Sequence, residues 1–315
     1  MISNNIVSAL LKQKKYIIID GALASELQRR GCDLNDSLWS AKVLIEKPEL
    51  IRQVHYDYFK AGADCAITAS YQATPLGFEK KAITFDKSIK LIKASVELAQ
   101  QAKQQYLNET KQNKTLLIAG SVGPYGAYLA NGSEYTGDYQ LTETEFITFH
   151  HHRIEALIEA NVDILACETL PSFNEIKALI KLIQQFPTTK AWFSLTLKDA
   201  QHLSDGTPLS QVIDYLNNQE QIVSIGINCI ALENVTPALE VLNQLTSKPL
   251  IVYPNSGEQY DPTTKQWYKN HQHNCTFSNQ LPTWIKLGAR LIGGCCQTTP
   301  NDIEEIVGVV NQLTI

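Results

Sequence analysis

Ala61-Gly62-Ala63-Asp64-Cys65-Ala66-Ile67-Thr68-Ala69-Ser70 follows a stretch of helical period, Pro48 to Lys60, and its first four residues mark the change of pattern. Glycine accepts the left-handed conformation that closes a helix, and the small and apolar run behind it suits a buried strand. The same grammar recurs at Ala160-Asn161-Val162-Asp163 and at Leu287-Gly288-Ala289-Arg290, each again between a helical pattern and a β-rich run. Helix, cap, strand is thus the repeating unit of the chain.

Working outward from these caps, apolar runs appear at Tyr16–Asp20, Cys65–Ser70, Thr115–Val122, Asp163–Glu168, Lys190–Thr196, Val223–Cys229, Pro249–Asn255 and Arg290–Cys295. Helical patterns lie between most of them: Pro48–Lys60, Ser88–Tyr106, Glu143–Ala160, Ser172–Gln185, Leu209–Asn217, Glu233–Leu245, Ser278–Leu287 and Asn301–Leu313. Runs that are apolar on both faces belong to parallel strands covered by helices. Eight such βα units without a linker or composition break predict a single-domain α/β protein, a (β/α)8 TIM barrel over residues 1–315, rather than an open doubly wound sheet. The runs end in Asp20, Ser70, Ser121, Glu168, Thr196, Cys229, Asn255 and Cys295, and barrels of this kind place their chemistry at C-terminal strand ends. Asp20–Ser40, Gly123–Tyr139 and Ser256–Asn274 are long and polar, and are expected to be loops roofing a pocket.

Composition sets limits. With 44% hydrophobic residues and a net charge of −5, the chain has no basic excess to attract nucleic acid. No apolar run reaches the ~18 residues that would cross a bilayer, and Met1 to Lys15 lacks the pattern of a secretory signal. Seven cysteines, an odd number, argue against a disulfide framework and for the reducing cytoplasm.

Those cysteines carry the chemistry. Cys295 and Cys296 stand behind Gly293-Gly294 at the end of an apolar run, where the backbone can bend around a third body. No CxxC pair occurs to build a structural zinc knuckle, so a metal here would need a distant third ligand and could keep its fourth position open. Cys229 ends the sixth run, only two strands away in a closed barrel, and its thiolate can converge with the other two. The alternative is a vicinal pair packed as hydrophobes, with Cys229 an unrelated core residue. Cys32, Cys65, Cys167 and Cys275 read as spectator thiols. His271 and His273 beside Cys275 rank below the strand-end trio, and His150-His151-His152 reads as a partly solvated helix face.

Asp20-Gly21-Ala22 follows the first strand, where glycine can expose backbone N–H groups to an anion such as an amino-acid carboxylate while Asp20 faces the pocket. A plain turn with a helix cap is the competing reading. Glu168 ends a buried strand, and a charge there needs a partner. A substrate ammonium would serve, as would a barrel arginine or lysine. Tyr125, Tyr253, Tyr260 and Trp267 could surround a sulfonium cation, or simply pack.

Together these residues resemble the homocysteine S-methyltransferase family from about Tyr16 to the end of the chain. The resemblance is carried by Asp20-Gly21-Ala22, Leu38-Trp39-Ser40, His55 to Phe59 with Ala61 to Asp64, Thr68 to Gln72, Gly120 to Pro124, Glu168-Thr169, Ser204 to Thr207, Gly226 to Cys229 and Gly293 to Cys296. It implies a barrel holding one Zn2+ per chain on Cys229, Cys295 and Cys296, with the homocysteine thiol completing the tetrahedron. The amino-acid clamp of the family matches Asp20-Gly21 and Glu168. Tyr253 to Glu258 with Trp267 downstream is similar to the short branch that uses S-methylmethionine, and Ala24-Ser25 departs from the small residue and threonine of many relatives.

The implied reaction is methyl transfer from a sulfonium, S-methylmethionine or S-adenosylmethionine, to homocysteine, giving methionine. Betaine as donor, and selenocysteine or selenohomocysteine as acceptor, remain alternatives. Outside that class stand a dithiol redox protein, disfavoured because adjacent cysteines close a strained disulfide, and a barrel whose zinc is structural.

Overall fold

The computed structural model describes residues 5–261, 266–269 and 276–313. Eight parallel strands form one sheet: β1 (Ile17–Ile18), β2 (Cys65–Ile67), β3 (Leu117–Val122), β4 (Ile164–Leu170), β5 (Ala191–Leu195), β6 (Ile222–Asn228), β7 (Leu250–Tyr253) and β8 (Ala289–Ile292). They pair in sequence order, β8 returns to β1, and a parallel bridge between Ile19 and Cys65 closes the barrel. The expected (β/α)8 architecture is therefore present. Its outer ring is α1 (Pro48–Lys60), α2 (Phe85–Thr110), α3 (Glu143–Glu159), α4 (Phe173–Ile183), α5 (Leu209–Asn217), α6 (Val235–Leu245), α7 (Phe277–Lys286) and α8 (Pro300–Gln312). None of the described helices is long and apolar enough to cross a membrane.

The three caps read from sequence are real. Gly62, Asn161 and Gly288 adopt φ of +105°, +62° and +97°, each turning a helix end into the next strand. Helix starts follow the same local logic: Thr84, Thr142, Ser172, Thr276 and Thr299 accept backbone N–H bonds at the starts of α2, α3, α4, α7 and α8. Thr84 explains why α2 begins three residues before the expected Ser88.

Alternate strand residues divide two apolar layers. Ile17, Ile19, Leu117, Ala119, Ile164, Ala166, Trp192, Ile251 and Leu291 fill the barrel interior, and Ile18, Ile118, Leu165, Phe193 and Val252 pack outward against the helices. Val7 and Leu10, from a helix at Ile6–Gln13, join the interior layer. Strand β6 approaches β7 so closely at Gly226 that a Cβ there would stand 1.8 Å from the Ile251 carbonyl oxygen.

The expected strand ends shift in places. β1 and β2 are shorter than their apolar runs, and at their ends the side chains of Asp20 and Thr68 accept from the backbone N–H groups of Ile67 and Ser121 at 2.9 and 3.0 Å. Glu168 lies inside β4 instead of ending it. The expected roofing loops also hold ordered elements, with helices at Leu23–Arg29, Tyr125–Leu129 and Ser133–Thr136 and a hairpin pairing Glu258–Asp261 with Gln266–Lys269. His271, His273 and Cys275 fall outside the described residues. A further hairpin, Leu197–Asp199 with His202–Leu203, follows β5 and has no counterpart in the sequence reading.

Candidate metal centre and substrate cavity

At the C-terminal ends of the strands a cavity of about 800 Å³ opens, lined by Asp20, Gly21, Ala22, Glu168 and all three strand-end cysteines. Cys229, Cys295 and Cys296 bring their sulfurs within 4.8 Å of one another. Their backbone is held firmly. Cys229 N–H donates to the Tyr253 carbonyl at 3.2 Å, Cys295 N–H to the Pro254 carbonyl at 2.7 Å, and the Cys296 carbonyl accepts from Ser256 N–H at 3.1 Å. Cys229 itself takes φ of +53°, outside the strand conformation, which turns its side chain at the end of β6.

The two glycines before the cysteine pair are required by close approach. A Cβ on Gly293 would meet Ile19 Cβ at 2.6 Å, and one on Gly294 would meet Thr298 Oγ1 at 2.5 Å. Gly294 N–H donates to the Asp20 carbonyl at 3.1 Å, so the cysteine turn and the Asp20 turn are tied together.

The three thiols act on one another. Hydrogen bonds from Cys295 and Cys296 hold the Cys229 thiol well below its ordinary pKa, and the same contacts push Cys295 and Cys296 up. Three soft sulfurs clustered around one point are a donor set suited to Zn2+. The distances fit too, since two thiolates each about 2.3 Å from one tetrahedral zinc lie about 3.8 Å apart, close to the 3.6 Å between Cys229 and Cys296.

Glu168 is buried, and its Oε1 accepts a hydrogen bond from the Ser121 hydroxyl. Burial pushes its carboxyl up to about 7, with Cys229 adding to the rise. Among the described residues no lysine or arginine lies within ion-pair distance of it. The buried Arg153, the obvious barrel cation, is instead taken up by the carbonyls of Tyr71 and Gly123, each at 2.6 Å, and by His150.

Asp20 is buried beside the cysteine turn and accepts from Ile67 N–H at 2.9 Å. Desolvation raises its pKa well above the usual carboxylate range. The Gly21 turn is fixed by contact, because a Cβ there would come within 2.8 Å of Tyr58 and Thr298. One expectation changes here: Ala22 N–H already donates to Thr298 Oγ1 at 3.1 Å, so this donor is not available to an anion.

Sequence reasoning missed several neighbours. Tyr135, in the helix after β3, places its hydroxyl 3.4 Å from Cys229 Sγ. Glu134 lines the cavity beside it and is pushed up to about 7 by burial and by Cys229. Asn228 ties β6 to its neighbours, its Oδ1 accepting from Thr169 N–H at 2.8 Å and from Ser194 Oγ at 2.7 Å. The only advance signal for Glu134 and Tyr135 was the length of the Gly123–Tyr139 segment. Of the aromatic candidates, Tyr253 lines the cavity, and Trp39 and Tyr71 join it with ring centroids 6.0 Å apart. Tyr125 belongs to an aromatic cluster with Tyr128, Tyr139 and Phe149. The side chains of Tyr260 and Trp267 are not described.

The spectator cysteines behave as expected where described, Cys65 and Cys167 being buried and Cys32 half-buried. His151 and His152 lie on a partly solvated face with Glu155, whereas His150 is fully buried and bonds Glu175 at 2.7 Å, which corrects the reading of all three as one face.

The homocysteine S-methyltransferase family model matches residues 17–310. Homocysteine S-methyltransferase of Escherichia coli (strain K12) is 57% identical over 97% of this chain and 99% of its own length. Homocysteine S-methyltransferase YbgG of Bacillus subtilis (strain 168) is 50% identical over 98% and 99%. The crystal structure of the metallated form of the Escherichia coli homocysteine methyltransferase MmuM superposes with a TM-score of 0.89 at 55% identity, covering 96% of this chain and 99% of that one. Fold, strand-end cysteines and whole-length similarity agree, and the chain belongs to the homocysteine S-methyltransferase family.

Proposed function

We propose that this methyltransferase uses one Zn2+ held by Cys229, Cys295 and Cys296 to methylate the thiol of L-homocysteine, with a sulfonium as donor and S-methylmethionine preferred over S-adenosylmethionine. The observation that carries the reading is the convergence of three thiols on a cavity whose lining includes Asp20, Asp36, Glu134 and Glu168 but, among the described residues, no lysine, arginine or histidine. Such a cavity favours ligands with positive groups and disfavours a net anion.

Zn2+ bound there would supply Lewis acidity that lowers the pKa of the substrate thiol. The protein contributes position. Glu168, with no lysine or arginine at ion-pair distance among the described residues, accepts the homocysteine ammonium, whose charge favours the ionised carboxylate. Gly21 N–H and the first turn of the helix at Leu23–Arg29 face the carboxylate, with Asp20 beside them. Tyr135 caps the cysteine site from the β3 side. The homocysteine thiolate attacks the donor methyl carbon in line with the sulfonium sulfur. A new S–CH3 bond forms, and the electron pair of the broken C–S bond neutralises the leaving sulfur. With S-methylmethionine both products are methionine, and a thioether leaving group needs no general acid. Holding both reactants in line lowers the entropic part of the barrel's task. No GxGxxG segment marks an adenosyl pocket, which supports the smaller donor.

The free thiols suit a cytoplasmic setting. A relative named selenocysteine Se-methyltransferase, from Brassica oleracea var. italica, is 42% identical over 92% of this chain, which keeps a selenol acceptor in view. The test is to mix metal-loaded protein with homocysteine or selenocysteine and with S-methylmethionine, S-adenosylmethionine or betaine in turn. Methionine formed fastest from homocysteine and S-methylmethionine is expected. Faster transfer from betaine would overturn the donor assignment, and no transfer in any pairing would overturn the function.

A further inference from the structure

Glu134 is a cavity carboxylate to which the mechanism above gives no task. It sits in the short helix Ser133–Thr136, carried by the segment that follows β3, whereas Glu168 belongs to strand β4. Its Oε2 is buried and has no hydrogen-bond partner among the described residues. No lysine, arginine or histidine among the described residues lies within ion-pair distance of it, and none lines the cavity it faces. Burying a carboxylate oxygen without a donor is costly, so an unfilled acceptor in a ligand cavity marks where a ligand donor belongs.

The position of Glu134 is built by its surroundings. Gly132 and Gly137, at φ of +90° and +68°, bracket the helix. Asn131 Oδ1 accepts from Ser133 N–H at 3.1 Å. Gly126 packs so tightly that a Cβ there would meet Glu134 N at 2.6 Å. The carboxylate is thereby held in the same cavity as Tyr71, Tyr135 and Cys229.

Two positive groups of S-methylmethionine could meet this carboxylate. A sulfonium has no N–H and cannot fill an empty hydrogen-bond acceptor, whereas an ammonium carries three donors. The aromatic faces of Trp39, Tyr71 and Tyr253 are the better match for the sulfonium. We propose that Glu134 forms a second amino-acid subsite that accepts the α-ammonium of the methyl donor and so selects donors of the S-methylmethionine type over sulfonium or quaternary ammonium donors without an amine. Glu168 and Glu134 then divide the two ammonium groups between acceptor and donor. This rests on the donor reading above.

The test compares Glu134→Gln with the wild type on two donors, S-methylmethionine and dimethylsulfoniopropionate, which is a sulfonium without an amine. The substitution should raise the KM for S-methylmethionine roughly ten-fold or more, since a charged hydrogen bond is lost. It should leave zinc content, the KM for homocysteine and the binding of dimethylsulfoniopropionate unchanged. Calorimetric titration of each donor into metal-loaded protein gives the same comparison without turnover. Failure of the wild type to make methionine would overturn the methyl-transfer reading, whereas the calorimetric pair addresses Glu134 alone. Unaltered affinity for S-methylmethionine, an equal loss for both donors, or a shift confined to homocysteine would overturn the proposal.

Discussion

Cys229 and Cys296 hold their sulfurs 3.6 Å apart across 67 residues of sequence. That separation suits two ligands of one tetrahedral ion, and it is produced by barrel closure, which leaves β6 and β8 with only β7 between them. Cys229→Ala should therefore lose bound zinc and activity together, while the barrel still folds, because the side chain is small and at a strand end. Metal analysis alongside circular dichroism checks this. Full zinc and turnover in the variant would show that the trio is not the metal site.

Glu168→Ala should raise the homocysteine KM roughly ten-fold or more, since a charge-assisted hydrogen bond is worth about 1.5–3 kcal/mol. Saturation curves with homocysteine and with the donor, measured separately, locate the effect. An unchanged homocysteine curve would indicate that Glu168 does not touch the acceptor.

The same residue makes a prediction about pH and stability. Its folded pKa, about 7, lies above the ordinary 4.5, so its contribution to stability is full below pH 4.5 and is lost as pH rises through about 7. In metal-free protein Glu168→Gln should thus be more stable than the wild type at pH 8, by up to about 3 kcal/mol, and nearly equal to it at pH 4.5. Thermal unfolding at the two pH values reads the difference. A stabilising substitution that weakens substrate binding is the expected signature of a site residue.

Gly226→Ala should be severely destabilising, because the added Cβ would meet the Ile251 carbonyl oxygen at 1.8 Å and only strand displacement could relieve it. Such overpacking costs about 3 kcal/mol or more. A melting temperature within a degree or two of the wild type would contradict the close β6–β7 approach.

Much of this molecule was legible in its residues. Gly62, Asn161 and Gly288 announced three helix-to-strand turns, because few residues tolerate positive φ. Buried strands such as β4 and β6, with both faces covered, announced a parallel sheet through unbroken apolar runs. Strand ends then located Cys229, Cys295 and Cys296 without knowledge of any contact. What could not be read depends on long-range geometry. That Thr298 would occupy Ala22 N–H, or that Arg153 would be diverted from Glu168 to the carbonyls of Tyr71 and Gly123, follows from packing across the barrel. Glu134 and Tyr135 lie in a segment whose composition signals only a polar connection, and their approach to Cys229 is set by glycines that wedge a four-residue helix against the strand ends.

The central claim, metal-dependent transfer of a sulfonium methyl group to homocysteine, is tested most directly by following the methyl group itself. S-Methylmethionine carrying isotopically labelled methyl groups is incubated with L-homocysteine and zinc-loaded, chelator-stripped or zinc-restored protein, with homocysteine labelled differently in its carbon chain. The account predicts methionine bearing both labels with the loaded and restored protein and none with the stripped protein. Doubly labelled methionine formed at the same rate after zinc removal, or none formed by the loaded protein, would contradict it.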